Sequence, residues 1–104
     1  MELVRIFSDV KRRPSAYGLN GGYREFVAFL NGANAASGGK LLRGFSDFLA
    51  GKIGSGQNLY WALLVAQIAA APEPIASPDE ILGAQEQVAI DCLFRELLEF
   101  LNEG

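Results

Sequence analysis

The sequence contains no histidine and no threonine, and it has a single cysteine, Cys92. Histidine is the commonest general base and the commonest metal ligand, so the chain lacks the side chain on which most hydrolytic and many metal-dependent active sites depend. A serine or cysteine nucleophile would need some other activating group. The composition therefore predicts a protein that is not an enzyme and that uses no metal and no cofactor.

One cysteine excludes an intramolecular disulfide and favours a reducing, cytoplasmic location. Cys92 falls inside a long amphipathic segment, which predicts a buried and unreactive thiol. The N-terminus has no apolar region of the kind found in secretory signals. The longest apolar run, residues 59–71, is shorter than the roughly 20 residues that cross a bilayer. Gln67 also interrupts it, so the run predicts a buried core helix and no membrane partner.

Glycine-rich stretches are present, but each misses the pattern of a known catalytic or phosphate-binding loop. In "GGK" the residue after the lysine is Leu41, where a Walker loop needs serine or threonine. "GSGQNL" ends on Leu59 in place of a third glycine, and "GFSDF" has Phe48 in place of the last glycine of a nucleophile elbow. These glycines are therefore predicted to shape loops.

Apolar residues recur at helical spacing along the whole chain, and no stretch alternates with period two. The pattern predicts an all-α fold, a compact single-domain bundle of four to five helices over residues 1–104. Proline and glycine place the boundaries. The predicted helices cover residues 2–11, a segment from Tyr23 to the glycines at 38–39, residues 40–53, a segment from Leu59, and about 78–102.

The last predicted helix has a broad apolar face and an opposite polar stripe. Ser77 and Glu80 match a capping box at its start, and Asn58 is a candidate cap for the helix before it. Asp91 and Arg95 are spaced as an i, i+4 ion pair. Glu86 falls within the apolar face, and the sequence offers no reason for it. The apolar face comprises Leu82, Ala89, Ile90, Leu93, Phe94, Leu97, Phe100 and Leu101, and the stripe comprises Glu80, Gln87, Asp91 and Arg95.

The stretch "KRRPSAYGLNGG", residues 11–22, supports two interpretations. One is a structural elbow, in which cations favour the helix C-terminus and Pro14 ends the helix. Tyr17 would then hold the loop on the core by its ring, with its hydroxyl on a polar partner. The other is phosphate recognition by Lys11, Arg12 and Arg13. The structural interpretation is preferred, because three cations in a net-acidic chain make a small footprint for nucleic acid.

Charge is distributed unevenly along the chain, whose net charge is −3. Residues 1–56 carry eight Lys/Arg and four Asp/Glu, whereas residues 57–104 carry Arg95 and eight acids. One interpretation is a polarised surface with an acidic face that suits a basic partner protein. The other is that the two halves neutralise each other across the fold.

Residues 10–65 resemble small bacterial immunity proteins of polymorphic, contact-dependent toxin systems. An element of the form R-P-x-x-Y-x-G follows the first helix in that family. It is followed by an "FL.G" helix, an "F..WL" segment with Phe48 here in the tryptophan position, and a tryptophan-bearing helix. The residues that match are Arg13, Pro14, Tyr17, Phe29, Leu30, Gly32, Phe45, Leu49 and Trp61, and Gly18 stands one place earlier than the glycine of the family element.

The resemblance implies a cytoplasmic inhibitor that binds a cognate protein toxin and occludes it stoichiometrically, without turnover. Many such toxins are basic nucleases, so the expected contact residues include the acids Glu73, Asp79, Glu80 and Asp91. The exposed elbow adds Tyr17, Arg12 and Arg13 as expected contact residues.

Two other functions stay open at this point. One is a helical adaptor or regulator that forms a homodimer through the last helix. The other is a small nucleic-acid-binding module, although no nucleic-acid partner is expected. Its cations would be Lys11, Arg12, Arg13, Lys40, Arg43 and Lys52.

Overall fold

The computed structural model describes residues 2–54, 60–70 and 84–103. All regular elements in these ranges are helical, and the Cα radius of gyration is 13.0 Å, as expected for a folded chain of about 100 residues. The predicted all-α fold, a compact bundle of four to five helices, is confirmed. The helices are α1 (Glu2–Arg12), α2 (Tyr23–Ala36), α3 (Phe45–Ile53), α4 (Trp61–Ala70) and α5 (Ala84–Glu103), with a 3-10 helix (Pro14–Tyr17) after α1.

Helix α5 is the central element, because it contacts each of the other four α-helices. Its apolar face is the predicted one: Ala89, Ile90, Leu93, Phe94, Leu97 and Leu101 are buried, and Phe100 is half-buried. The opposite stripe of Gln87, Asp91 and Arg95 is exposed. Helix α4 is the predicted core helix, since Trp61, Ala62, Leu64, Val65 and Ala66 are buried. The remaining expectations for these helices, Leu82, the Asn58 cap and the Ser77–Glu80 capping box, lie outside the described residues.

An aromatic cluster joins α3 and α4 to α5. The fully buried Phe45 ring lies with its centroid 5.1 Å from that of Phe100 and 5.7 Å from that of Trp61. A second ring contact joins α2 to α5, where Phe26 and Phe94 meet edge to face with centroids 5.0 Å apart. Such contacts add to the stabilisation that burial of each ring provides.

Glu86, unexplained by the sequence, stabilises the start of α2. Its Oε2 accepts a hydrogen bond from the backbone N–H of Tyr23 at 3.1 Å. The first N–H groups of a helix have no partner within the helix, and a carboxylate there also meets the positive end of the helix dipole. A carboxylate within the apolar face of α5 therefore caps a helix that is distant in sequence.

The Tyr23 hydroxyl makes a second link, from α2 to α4, by donating to the carbonyl oxygen of Ala62 at 2.7 Å. Tyr23→Phe should lower the free energy of unfolding by about 1 kcal/mol, because one hydrogen bond between buried groups is lost while the ring packing stays. Urea denaturation measures this loss. Tyr60→Phe is the matched control, since Tyr60 is exposed and its hydroxyl accepts from the half-buried side chain of Asn31. Equal losses in the two variants would contradict the assigned role of Tyr23.

The third helix begins later than predicted, at Phe45 and not at Lys40. Gly44 has φ +84°, a left-handed conformation that ends the preceding turn and starts α3. The N–H groups before it are held by side chains at the end of α2: Asn34 Oδ1 accepts from Leu42 and Ser37 Oγ accepts from Leu41. These bonds replace the helical ones that the apolar periodicity predicted.

Candidate functional site

The elbow after α1 is organised around one carboxylate, that of Asp9. Arg12 Nη2 donates to its Oδ1 at 2.7 Å. Arg13 binds both oxygens, with Nε donating to Oδ1 at 2.9 Å and Nη2 to Oδ2 at 2.6 Å. The Tyr17 hydroxyl also donates to Oδ2, at 2.8 Å. We call Asp9, Arg12, Arg13 and Tyr17 the Asp9 cluster.

Local structure explains how these side chains converge. Arg12 and Arg13 follow Asp9 at i+3 and i+4, the spacings that share one helix face. The backbone N–H of Arg13 still bonds to the Asp9 carbonyl at 2.8 Å, and Pro14 then ends the helix. The 3-10 turn closes with Gly18 at φ +78°, which returns Tyr17 to α1. The expected loop over residues 15–22 thus contains a short helix that was not predicted.

The Tyr17 ring anchors the cluster to the core. It meets Phe29 of α2 edge to face, with centroids 6.1 Å apart, and Phe29 in turn meets the buried Phe7 at 6.3 Å. The structural interpretation of the elbow, with the ring on the core and the hydroxyl on a polar partner, is confirmed.

Hydrogen bonds from Arg13, Arg12 and Tyr17, in that order, hold the pKa of Asp9 well below its usual range. The same contacts raise the pKa of Arg13 and that of the Tyr17 hydroxyl, chiefly through their hydrogen bonds to Asp9. The carboxylate therefore stays ionised and the phenol stays protonated across ordinary pH. The charges that hold the cluster together are therefore unchanged under those conditions.

The outer parts of the cluster remain accessible. The Arg12 and Arg13 side chains are 75% and 61% exposed, and Tyr17 is 37% exposed. Beside them lies an open recess of about 640 Å³, lined by Arg5, Ile6, Ser8, Asp9, Arg12 and Tyr17. Two guanidinium groups and a phenol ring are thus presented at fixed positions next to a concave surface.

The pKa shift of Asp9 predicts that this carboxylate stabilises the fold at neutral pH and that the stabilisation is lost in acid. Its folded pKa lies below the unfolded value of about 3.9, so at low pH the unfolded state binds the proton first. The stabilisation is present above the unfolded pKa and is lost as pH falls through the folded one. Asp9→Asn should therefore destabilise the protein at neutral pH, and the difference from the native chain should shrink in strong acid. Urea denaturation at both pH values tests this, and a pH-independent difference would contradict it.

Among the expected acidic contact residues, Asp91 is described, whereas Glu73, Asp79 and Glu80 lie outside the described residues.

The predicted ion pair of Asp91 with Arg95 is replaced by a pair with a residue that is distant in sequence. Asp91 Oδ1 lies 3.0 Å from Lys11 Nζ and accepts from Gln87 Nε2 at 3.0 Å. Arg95 turns toward Cys92 and Glu96 instead, because its neighbours on α5 offer it acceptors there. Hydrogen bonds from Lys11 and Gln87 lower the pKa of Asp91. Lys11 follows Leu3 and Phe7 at i+8 and i+4 along α1, so its pair with Asp91 lies on a different side of that helix from the Asp9 cluster.

A second ion cluster lies between α3 and α5. Glu96 is 4% exposed and its Oε1 forms a salt bridge with Lys52 Nζ, while Glu99 Oε2 lies 2.7 Å from the same nitrogen. Partial burial disfavours the charged lysine, but its hydrogen bonds to Glu96 and Glu99 outweigh this, so the pKa of Lys52 is raised. The ammonium also sits 4.9 Å from the centre of the Phe48 ring.

These pairs join cations of the N-terminal half to carboxylates of α5. Lys11 with Asp91 and Lys52 with Glu96 and Glu99 neutralise charge across the fold, as the second interpretation of the charge asymmetry expected. Arg12 and Arg13 are likewise paired with Asp9. Lys11, Arg12, Arg13 and Lys52 were among the six cations of the nucleic-acid alternative, and each of them already contacts a carboxylate.

Cys92 is 2% exposed, as predicted. Burial raises the pKa of its thiol, which keeps it in the less reactive protonated form. Within residues 2–54, 60–70 and 84–103, no three acidic or cysteine side chains gather in a way that could hold a metal ion. No helix in that part of the chain is both long and apolar enough to cross a bilayer.

Three comparisons with known proteins gave no match, whether to protein-family models, to curated proteins or to solved structures. The similarity to immunity proteins therefore stays a prediction from the motifs quoted above.

Proposed function

We propose that this chain is a bacterial immunity protein that binds a cognate toxin domain and neutralises it by occlusion, in the cytoplasm and without turnover. The observation that supports this best is the Asp9 cluster, which holds exposed arginine and tyrosine side chains in one arrangement. The resemblance of the elbow to the family element supports the same function.

The residue types of this cluster and the hydrogen bonds that hold its side chains in place both favour protein recognition. Arginine and tyrosine are over-represented among the side chains that dominate binding energy at protein interfaces. Ordering a free side chain at an interface costs about 0.5–1.5 kcal/mol, and that cost falls when the side chain is already fixed. Asp9 fixes Arg12, Arg13 and Tyr17 before a partner arrives. The recess beside them gives a protruding loop of the toxin a place to bind.

The contact surface proposed here is the Asp9 cluster, and Asp91, which pairs with Lys11 on another side of α1, stays a separate proposed contact. The free N–H groups of Arg12 and Arg13 suit carbonyl or carboxylate oxygens of the partner, since arginine has five donors and no acceptor. Glu73, Asp79 and Glu80 stay proposed contacts for a basic toxin, such as a nuclease. A basic toxin is expected if these acids make most of the contacts, and an acidic binding surface on the toxin is expected if Arg12 and Arg13 do.

Affinity capture from the native host, followed by co-expression, tests the proposal. The full-length chain should retain one protein in a 1:1 complex, and that protein expressed alone in a naive bacterium should stop growth. Co-expression of the native chain should restore growth. Retention of no growth-inhibiting protein would contradict the proposed function.

Two variants locate the contact surface in the same assay. Arg12→Ala removes an exposed guanidinium but leaves the bidentate Arg13–Asp9 contact, so protection should weaken while the fold persists. Arg24→Ala removes an exposed arginine of α2 that does not line the recess, and protection should be unchanged. Equal protection by both variants would place the toxin elsewhere on the protein.

A further inference from the structure

A second concave surface lies on the opposite side of α1 from the Asp9 cluster. At about 100° per residue, Leu3 and Phe7 project from the side of α1 that faces away from Asp9 and Arg12. Together with the end of α2, the following turn and the end of α5 they form a groove of about 470 Å³. We call it the α1–α5 groove; its lining is Leu3, Phe7, Ala33, Ser37, Lys40, Leu41, Arg43, Phe100 and Leu101.

The floor of this groove is apolar and accessible. Leu3 is 38% exposed, and Leu41 and Phe100 are half-buried, so each keeps apolar surface toward the groove. Continuous accessible apolar surface on a soluble protein commonly marks an interaction site. An apolar floor alone does not indicate what binds in the groove. The charged residues at its edge indicate the charge of the partner.

Lys40 and Arg43, the two cations at the edge of the groove, differ from the paired cations elsewhere. Both are exposed, and within the part of the chain that the structure describes neither side chain has a hydrogen bond or an ion pair. By contrast, Lys11, Arg13 and Lys52 each contact a carboxylate. Lys40 and Arg43 therefore give the edge of the apolar groove a positive charge that no described carboxylate neutralises.

Apolar contact with a basic edge is complementary to a chain segment that combines apolar and acidic residues. We infer that the α1–α5 groove binds an acidic, amphipathic peptide segment of a partner protein, whose apolar side chains contact Leu3, Leu41 and Phe100 and whose carboxylates meet Lys40 and Arg43. Opposite charges at a binding edge set partner choice and association rate. This inference does not depend on the partner being a toxin, since the groove shares no residue with the Asp9 cluster.

Fluorescence anisotropy with a synthetic peptide tests the inference on the full chain. The probe is a short labelled peptide in which leucine and phenylalanine alternate with aspartate and glutamate. We expect saturable binding that weakens with salt, because ions at physiological strength screen exposed charges beyond about 8 Å. The same peptide with lysine in place of every acid should not bind. Absence of binding by the acidic peptide, or equal binding by the basic one, would overturn the inference.

Matched variants separate the groove from general charge attraction. Lys40→Glu/Arg43→Glu should weaken binding by roughly tenfold or more, since like charges then face each other across the edge. Arg5→Glu/Arg24→Glu changes the net charge equally at exposed positions outside the groove and should weaken binding by less than about threefold. Equal weakening by the two double variants would overturn the inference.

Two further measurements keep the test independent of variant folding. Amide chemical shifts of the native chain, titrated with the acidic peptide, should change at Phe7, Leu41 and Phe100, and changes confined to other regions would contradict the groove. Analytical ultracentrifugation of the native chain should give a monomer mass without peptide. A dimer that Lys40→Glu/Arg43→Glu dissociates would show that a second copy occupies the groove, and would overturn the inference.

Discussion

Phe45→Ala should lower the free energy of unfolding by about 3–5 kcal/mol, the usual cost of truncating a fully buried aromatic side chain. Phe45 has no exposed surface, and its ring contacts Phe48, Trp61 and Phe100. Because these neighbours belong to α3, α4 and α5, the cavity would lie where three helices meet and could not collapse without moving one of them. Urea denaturation followed by circular dichroism measures the loss.

Ile53→Ala is the control for the Phe45 variant, because Ile53 belongs to the same helix but is 39% exposed. Its truncation should cost less than about 1 kcal/mol. If Phe45→Ala cost no more than Ile53→Ala, the aromatic cluster would not be the packing centre that the structure indicates.

Lys52→Met should destabilise the fold by about 3 kcal/mol, because it leaves the buried Glu96 carboxylate without its main counter-ion. The remaining cation, Arg95, contacts Glu96 only at 3.4 Å. The value sits at the low end for a broken buried pair, since the Lys52 side chain is 35% exposed and so partly screened by water. Chemical denaturation at neutral pH provides the measurement.

The double variant Lys52→Met/Glu96→Leu distinguishes loss of a charge partner from loss of packing. It should be more stable than Lys52→Met, because no buried charge is then left uncompensated: Glu99 and Arg95 also lose a partner, but both are exposed to water. Lys40→Met, at an exposed lysine, should change stability by less than about 0.5 kcal/mol. A double variant less stable than Lys52→Met would contradict the electrostatic explanation.

Local signals in the sequence were sufficient for much of the fold. The helical spacing of apolar residues predicted α1, α2 and the faces of α5, because an amphipathic helix buries the same stripe whatever its partner. The elbow was also predictable, since proline, glycine and a tyrosine act over a few residues. Asp9 was missed as its centre, although its spacing of i+3 and i+4 to Arg12 and Arg13 was a usable signal.

Features that depend on distant partners were not predictable. The start of α3 depends on Asn34 and Ser37 reaching the next turn. Glu86 and Glu96 both look misplaced on an apolar face until their partners, the N–H of Tyr23 and the ammonium of Lys52, are known. The partners lie 63 and 44 residues away, so no local pattern encodes them. The charge asymmetry allowed two interpretations, because the pairs that neutralise part of it, Lys11 with Asp91 and Lys52 with Glu96 and Glu99, join distant parts of the chain.

Calorimetric titration of the captured toxin domain tests the central claim, that Asp9 holds the binding side chains in place. Asp9→Asn keeps Arg12, Arg13 and Tyr17 but weakens the bonds that fix them, so the toxin should bind it about tenfold more weakly than the native chain, a loss of about 1.4 kcal/mol. Asp47→Asn removes the same charge from an exposed position of α3 and should leave the 1:1 affinity unchanged. Native affinity in Asp9→Asn, or an equal loss in both variants, would contradict the claim.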